Sequence, residues 1–300
     1  ADIVVPFSPA VVHDSYCGNM NCTNRSGTGS GPTDYRRTLM ELRMDGRVAL
    51  VTGGSKGLGY AMAHKFAASG AQVCVVARNV GEVEEAANRI RLETGAGSLG
   101  LAGDVSQAGQ LQSVFDSCIE TFGKVDILIN NAGHAMAGEF ESITDEEWQY
   151  DFDLKLMAAV RMSRLVFPGM KVRRWGRIIN MLNTLAKTPA RGSAPTSVTR
   201  AAGMALTKVL AGEGAPHNIL VNGFNIGLIK SDQIQRGYDS KPREESFDEF
   251  VARAGKKSVP IGRYGEAEEC ANLACLLCSD DCGFVSGTAI NIDGNMSPAM

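Results

Sequence analysis

Residues 48–59 read Val48-Ala49-Leu50-Val51-Thr52-Gly53-Gly54-Ser55-Lys56-Gly57-Leu58-Gly59. A short apolar run passes directly into a glycine-rich turn, and the next stretch, from Tyr60, has helical periodicity. Glycines let such a turn be tight and bring backbone N–H groups close to a pyrophosphate, and the following helix N-terminus adds its positive dipole. A glycine string alone is weak evidence. Its place between a strand and a helix is the context in which it signals a dinucleotide-binding βαβ unit.

Working outward, apolar runs at 47–52, 72–77, 98–102, 126–130, 177–181, 219–224 and 288–292 are expected as buried strands. Helix-like stretches lie between them at 60–69, 80–94, 108–122, 145–170, 197–212 and 266–278. Strands alternating with helices imply right-handed crossovers and a parallel sheet. Apolar runs without period-two alternation imply a sheet covered on both faces. The expected fold class is therefore α/β, a single doubly wound Rossmann domain of about seven parallel strands spanning 45–300.

Residues 1–44 stand apart. Residues 19–33 are rich in Gly, Asn, Ser and Thr, so this stretch is expected as an N-terminal extension, either flexible or an arm onto a neighbouring subunit. Residues 230–262 interrupt the alternation with a polar, charged insertion at the end of the sixth strand. Open α/β sheets bind ligands there, so this segment is expected as a substrate lid.

Net charge is −3, which leaves no electrostatic footprint for nucleic acid, and no apolar run is long enough to span a bilayer. Residues 1–12 lack the basic n-region of a signal peptide. A chain of 300 residues buries its own core without disulfides, and its 8 cysteines fit a reducing cytoplasm. Cys270, Cys275, Cys278 and Cys282 have a superficial cluster spacing, but a helix would scatter them over more than one face, so they are expected as small buried thiols and no metal is expected.

The end of the second strand selects the dinucleotide. An NAD binder places an acid about 20 residues beyond the glycines to hold the ribose 2′-OH. Here the position is Arg78-Asn79, and Lys56 adds a cation inside the glycine loop. Two cations and no carboxylate suit a 2′-phosphate, hence NADP(H).

At this point the sequence resembles the short-chain dehydrogenase/reductase superfamily, and within it the 3-oxoacyl carrier-protein reductases. Thr52, Gly53, Gly57 and Gly59 match the family's TGxxxGxG, Asp104-Val105 its adenine-contacting pair, and Asn130-Asn131-Ala132-Gly133 its NNAG. Val221-Asn222 and the stretch from Gly287 to Gly294 match the last two strands, so the resemblance covers about 45–294. It implies cofactor contacts at Gly53, Ser55, Lys56, Gly57, Leu58, Gly59, Arg78, Asn79, Asp104, Val105, Asn131, Ala132, Gly133, Arg200, Gly227, Ile229 and Ser231. It also implies a small-molecule substrate and a homo-oligomer, tetramer or dimer.

The same resemblance exposes a departure. The family's catalytic Asn, Ser, Tyr and Lys fall at Lys155, Asn183, Thr196 and Arg200. Threonine is a far weaker acid than tyrosine, and arginine stays protonated, so Arg200 can hold hydroxyls but is a poor proton shuttle. Asn183 keeps a hydrogen-bond donor for a carbonyl. Lys155, pushed towards neutrality by Arg200 and burial, becomes a candidate acid, base or Schiff-base former, unless it only pairs with Asp151 or Asp153. His134, Tyr150 and Tyr238 are further candidate proton donors. The expected function is NADP(H)-dependent hydride transfer to or from a carbonyl, conjugated or imine double bond. Met136, Met181, Ile226, Tyr238, Phe247 and Phe250 suggest an apolar substrate. A non-redox lyase, isomerase or cyclase, or an inactive binding subunit, are the other readings.

Overall fold

The computed structural model describes residues 42–242 and 244–300. The expected extension, save residues 42–44, lies outside the described residues, as do Cys17 and Cys22. Leu42 and Met44, just ahead of the expected start at Asp45, already pack into the domain, and the Met44 N–H donates to Ser69 O at 2.6 Å.

Seven parallel strands form one sheet in the order β3-β2-β1-β4-β5-β6-β7. They are β1 Val48–Thr52, β2 Gln72–Ala77, β3 Ser98–Ala102, β4 Ile127–Asn130, β5 Gly176–Asn183, β6 Ile219–Ile226 and β7 Ala289–Ile292. The helices are α1 Gly57–Ala68, α2 Val80–Thr94, α3 Ala108–Phe122, α4 Asp145–Asp151, α5 Ala158–Arg173, α6 Thr196–Gly214, α7 Asp232–Asp239, α8 Phe247–Ser258 and α9 Ala267–Cys278. The strand order reverses between β1 and β4, and ligands bind open α/β sheets above such a switch point.

Successive residues of β1 serve opposite layers, because strand side chains alternate faces. Ala49 and Val51 join a core with Met62, Phe66, Ile90 and Ala274 from α1, α2 and α9. Val48 and Leu50 join a second core with Leu111, Val114, Met162 and Val166 from α3 and α5. Both faces are thus covered, as the unbroken apolar strands imply. Cys270, Cys275 and Cys278 are buried in the first layer. Burial raises all three thiols, Cys270 to about 12, so they behave as small apolar side chains.

Two expectations change. The helix expected at 145–170 is divided by a π-helical turn over Phe152–Met157. The segment expected as a lid, 230–262, holds two helices, α7 and α8, and α8 starts with a capping box of Ser246 and Glu249. Tyr238, Phe247 and Phe250 pack on one another, and Phe247 and Phe250 also pack against Val251, Val259 and Tyr264. They build this segment's own core, which removes them as evidence for an apolar substrate.

Candidate active site

The site grows from the junction of β1 and β4. Thr52 ends β1. Its Oγ1 donates to Ile129 O and accepts from the N–H groups of Asn131 and Ala132, at 3.0 and 3.1 Å. Asn131 Nδ2 donates to Thr52 O and Gly53 O, at 2.9 and 3.0 Å. The glycine turn and the NNAG turn are therefore stitched together at the switch point. Asn130 continues the stitching: its Nδ2 donates to Asn180 Oδ1, and Asn180 Nδ2 to Thr207 Oγ1, linking β4, β5 and α6.

A cavity of about 1000 Å³ runs above this junction. Gly53, Ser55, Lys56, Gly57 and Leu58 line one end, with Arg78, Asn79, Asp104 and Val105. Asn131, Ala132, Gly133 and His134 line the other, and Ser231 is also among the lining residues. The expected cofactor residues not among the lining are Gly59, Arg200, Gly227 and Ile229. Gly59 packs beneath the loop, Arg200 lies behind Gly133, Gly227 lies against Asp293, and Ile229 is buried in the core. The fit to a dinucleotide phosphate is good. Gly57, at φ +54°, has nothing within 4 Å of where a Cβ would stand, so bare backbone faces the cavity. No side chain caps the first turn of α1 and no acid sits in it, which leaves its N–H groups for an anion.

Gly59 carries a prediction. A Cβ there would lie 2.1 Å from Gly53 O and 2.5 Å from Asn131 Nδ2, both held by the stitching. Gly59→Ala is expected to push α1 off the loop, to cost about 1–3 kcal/mol of stability and to weaken dinucleotide binding. Thermal melting and a cofactor titration check it. Unchanged binding would mean that the loop adapts.

Behind the NNAG turn lies a buried cluster. Lys155 sits in the π-helical turn, a distortion frequent at functional sites. Its Nζ donates to Asp151 Oδ1 and, at 2.7 Å, to Thr196 Oγ1. Thr199 Oγ1 donates to Asp151 Oδ2 at 2.6 Å, tying the turn to α6. Thr196 Oγ1 also donates to Met136 O at 2.6 Å and accepts from Met136 N–H at 2.9 Å. Burial, with help from the Arg200 charge and against the Asp151 carboxylate, pulls Lys155 from the usual lysine value down to about 8. Burial pulls Arg200 to about 10, which still leaves it cationic at neutral pH. Arg200 Nη1 donates to Met181 O, and its Nη2 would be 2.8 Å from a Cβ at Gly133.

His134 lines the cavity, with its ring 6.1 Å from that of Tyr150. Burial first, then the charges of Lys155 and Arg78, lower its pKa, so it is neutral at neutral pH. Tyr238 donates to Glu245 O. Asn183, at the end of β5, has a buried Oδ1 with no hydrogen-bond partner among the described residues.

Three features escape a reading of the sequence. Lys56 is ion-paired with Glu82 at 2.9 Å, which raises its pKa. The full burial of Asp151, one of the two acids named as partners for Lys155, is the second: it holds Lys155 at i,i+4 spacing. Arg236 of α7 faces the cavity.

This architecture and the order of its turns match a known family, whose short chain dehydrogenase profile covers residues 47–241. The chain belongs to the short-chain dehydrogenase family. Among curated relatives, the 3-oxoacyl-[acyl-carrier-protein] reductase of Escherichia coli is 33% identical over 256 residues, 85% of this chain and 99% of that protein. The human dehydrogenase/reductase SDR family member 4 is 32% identical over 249 residues, 83% of this chain and 86% of the relative. Among solved structures, L-sorbose reductase from Gluconobacter frateurii, complexed with NADPH and L-sorbose, superposes with a TM-score of 0.83 at 35% identity. That match covers 87% of this chain and all of the other. An NADPH-dependent reductase involved in bacilysin biosynthesis follows, with a TM-score of 0.79 and 29% identity over 85% of this chain and 99% of the other. The short-chain dehydrogenase described here is accordingly an oxidoreductase. No helix among the described residues is long and apolar enough to cross a membrane.

Proposed function

We propose that this short-chain dehydrogenase uses NADP(H) to move hydride to or from a carbonyl, conjugated or imine double bond of a small molecule. The observation that carries the reading is the continuous cavity from Arg78 and Asp104, over the bare Gly57 backbone, to His134. When bound, NADP(H) supplies the hydride. Arg78, at the end of β2, holds the 2′-phosphate, and the first turn of α1 faces the pyrophosphate. The NADPH complex of the sorbose reductase supports the same choice.

The protein's own contribution is orientation and a proton. Asn183 donates its side-chain Nδ2–H to the substrate's carbonyl oxygen, the role the resemblance gives to this position. Arg200 stabilises negative charge developing there. Lys155, whose pKa burial brings down to about 8, is the proton source, and its Nζ donates to the hydroxyl of Thr196, which the resemblance places at the family's proton-donor position. Thr196 itself is too weak an acid to replace a tyrosine. Assembly as a homo-oligomer, tetramer or dimer, belongs to the same proposal, and Val198 and Val209, exposed on α6, support it.

Fluorescence titration with NADPH and NADH tests the cofactor reading. Micromolar NADPH binding with preference over NADH is expected, and binding of neither overturns it. Thr196→Tyr with Arg200→Lys should raise turnover of simple ketones. A folded, cofactor-binding variant without any gain would mean that the pocket does not present a carbonyl to that position.

A further inference from the structure

A phosphorylated dinucleotide brings negative charge at two places, its 2′-phosphate and its pyrophosphate. Three cations line the cavity that would hold it: Lys56, Arg78 and Arg236. Lys56 is committed to Glu82 at 2.9 Å. Arg78 stands at the end of β2, the 2′-phosphate end. The remaining cation is Arg236, in the second turn of α7. Its side chain is exposed and makes no ion pair or side-chain hydrogen bond among the described residues.

Two further observations locate it. It lines the cavity, and its charge reaches both Lys56 of the glycine loop and His134 beyond the NNAG turn. The helix that carries it is tied down at that place, because Gln233 Oε1 accepts the Ala135 N–H at 3.2 Å. Asp232 is the acid on the same side of α7; it also lines the cavity and acts on Lys56, without an ion pair among the described residues.

We propose that Arg236 is a clamp for the cofactor pyrophosphate, carried by α7 at the cavity wall, so that dinucleotide binding adds a second tie holding α7 there. The first turn of α1 and the Arg236 guanidinium would hold the pyrophosphate together. Arginine suits this place, because its planar fork matches two phosphate oxygens at once. The clamp rests on the NADP(H) reading but adds a distinct requirement. The pyrophosphate is common to NADPH and NADH, so the contribution of Arg236 must be the same for both.

The test titrates wild type, Arg236→Gln and Arg236→Lys with NADPH and with NADH. It also follows hydrogen exchange of the α7 backbone amides, with and without NADPH. Arg236→Gln is expected to weaken both dinucleotides by a similar factor, about tenfold or more. Arg236→Lys should fall between it and wild type. NADPH should slow exchange of the α7 amides in wild type and fail to do so in Arg236→Gln. Unchanged affinities in Arg236→Gln overturn the clamp while leaving the cofactor reading intact. A loss confined to NADPH also overturns it, by moving Arg236 to the 2′-phosphate. A wild type that binds neither dinucleotide overturns both.

Discussion

Replacing Lys155 by methionine is expected to lower kcat by about 10²–10⁴-fold, the range over which a positioned proton donor acts. The ammonium is 1% exposed and is held between Asp151 and Thr196 Oγ1. No other cationic side chain touches that hydroxyl among the described residues. Methionine fills the same volume and cannot carry a proton. The substitution has a second effect that must be separated from the first. It strands Asp151, which is 0% exposed, as a buried unpaired carboxylate, and breaking such a pair from one side costs about 3–5 kcal/mol. Lys155→Met alone is therefore expected to melt well below wild type.

The double variant Asp151→Asn with Lys155→Met separates the two effects. An asparagine amide oxygen can still accept from Thr199 Oγ1, and no charge is left behind. Stability should largely return while turnover stays lost. Restored turnover would assign Lys155 a structural role. The pH dependence gives an independent readout. Lys155 titrates at about 8 in the folded protein, against an ordinary lysine value of 10.5. Carbonyl reduction needs its protonated form and should decline as pH rises through about 8, whereas oxidation should rise there. Between these two values the unfolded chain binds more protons than the folded one, so this residue's effect makes stability rise with pH across that window and level off above it. A wild-type profile that is flat through pH 8, and unchanged in the variant, would sink the assignment.

The sequence was most informative where chemistry leaves no freedom of residue type. The glycine turn and the acid-free end of β2 are such places, because a close backbone approach and the choice between a ribose hydroxyl and a phosphate each restrict composition. Strand ends were less legible. β5 and β6 run on to Asn183 and Ile226, which pair with each other, since ladder pairing continues past the expected ends at Met181 and Phe224 through the polar Asn183 and Asn225. The π-helical turn has no compositional mark: it widens one turn of backbone without needing any special residue. Helices α7 and α8 were hidden by their charge, although Ser246 followed by Glu249 is a capping-box spacing that announces α8. The pairing of Lys56 with Glu82 joins the glycine loop to α2 across the fold, and no local pattern could reveal it.

That pairing bears on the other large effect, expected for Arg78→Asp. Lys56 is shared with Glu82, so the 2′-phosphate depends on Arg78, which lines the cavity and has no ion pair among the described residues. The substitution removes one positive charge and adds one negative charge facing a phosphate that carries roughly two. At about 4 Å a pair of unit charges is worth roughly 1 kcal/mol in water and about 4 kcal/mol near a protein surface. Allowing for an open, salt-screened groove, the NADPH dissociation constant should rise by about a hundredfold. NADH should bind as well as before or better, because the new carboxylate stands where NAD binders hold the ribose 2′-OH. Parallel titrations, repeated at higher salt, measure both effects. The NADPH penalty should shrink with salt and the NADH affinity should not respond. Equal losses for the two dinucleotides would show that Arg78 holds the loop rather than the phosphate, and selectivity would then have to come from Lys56 released by Glu82. Glu82→Gln would then raise NADPH affinity. With Arg78 as the phosphate ligand, that same change should do little.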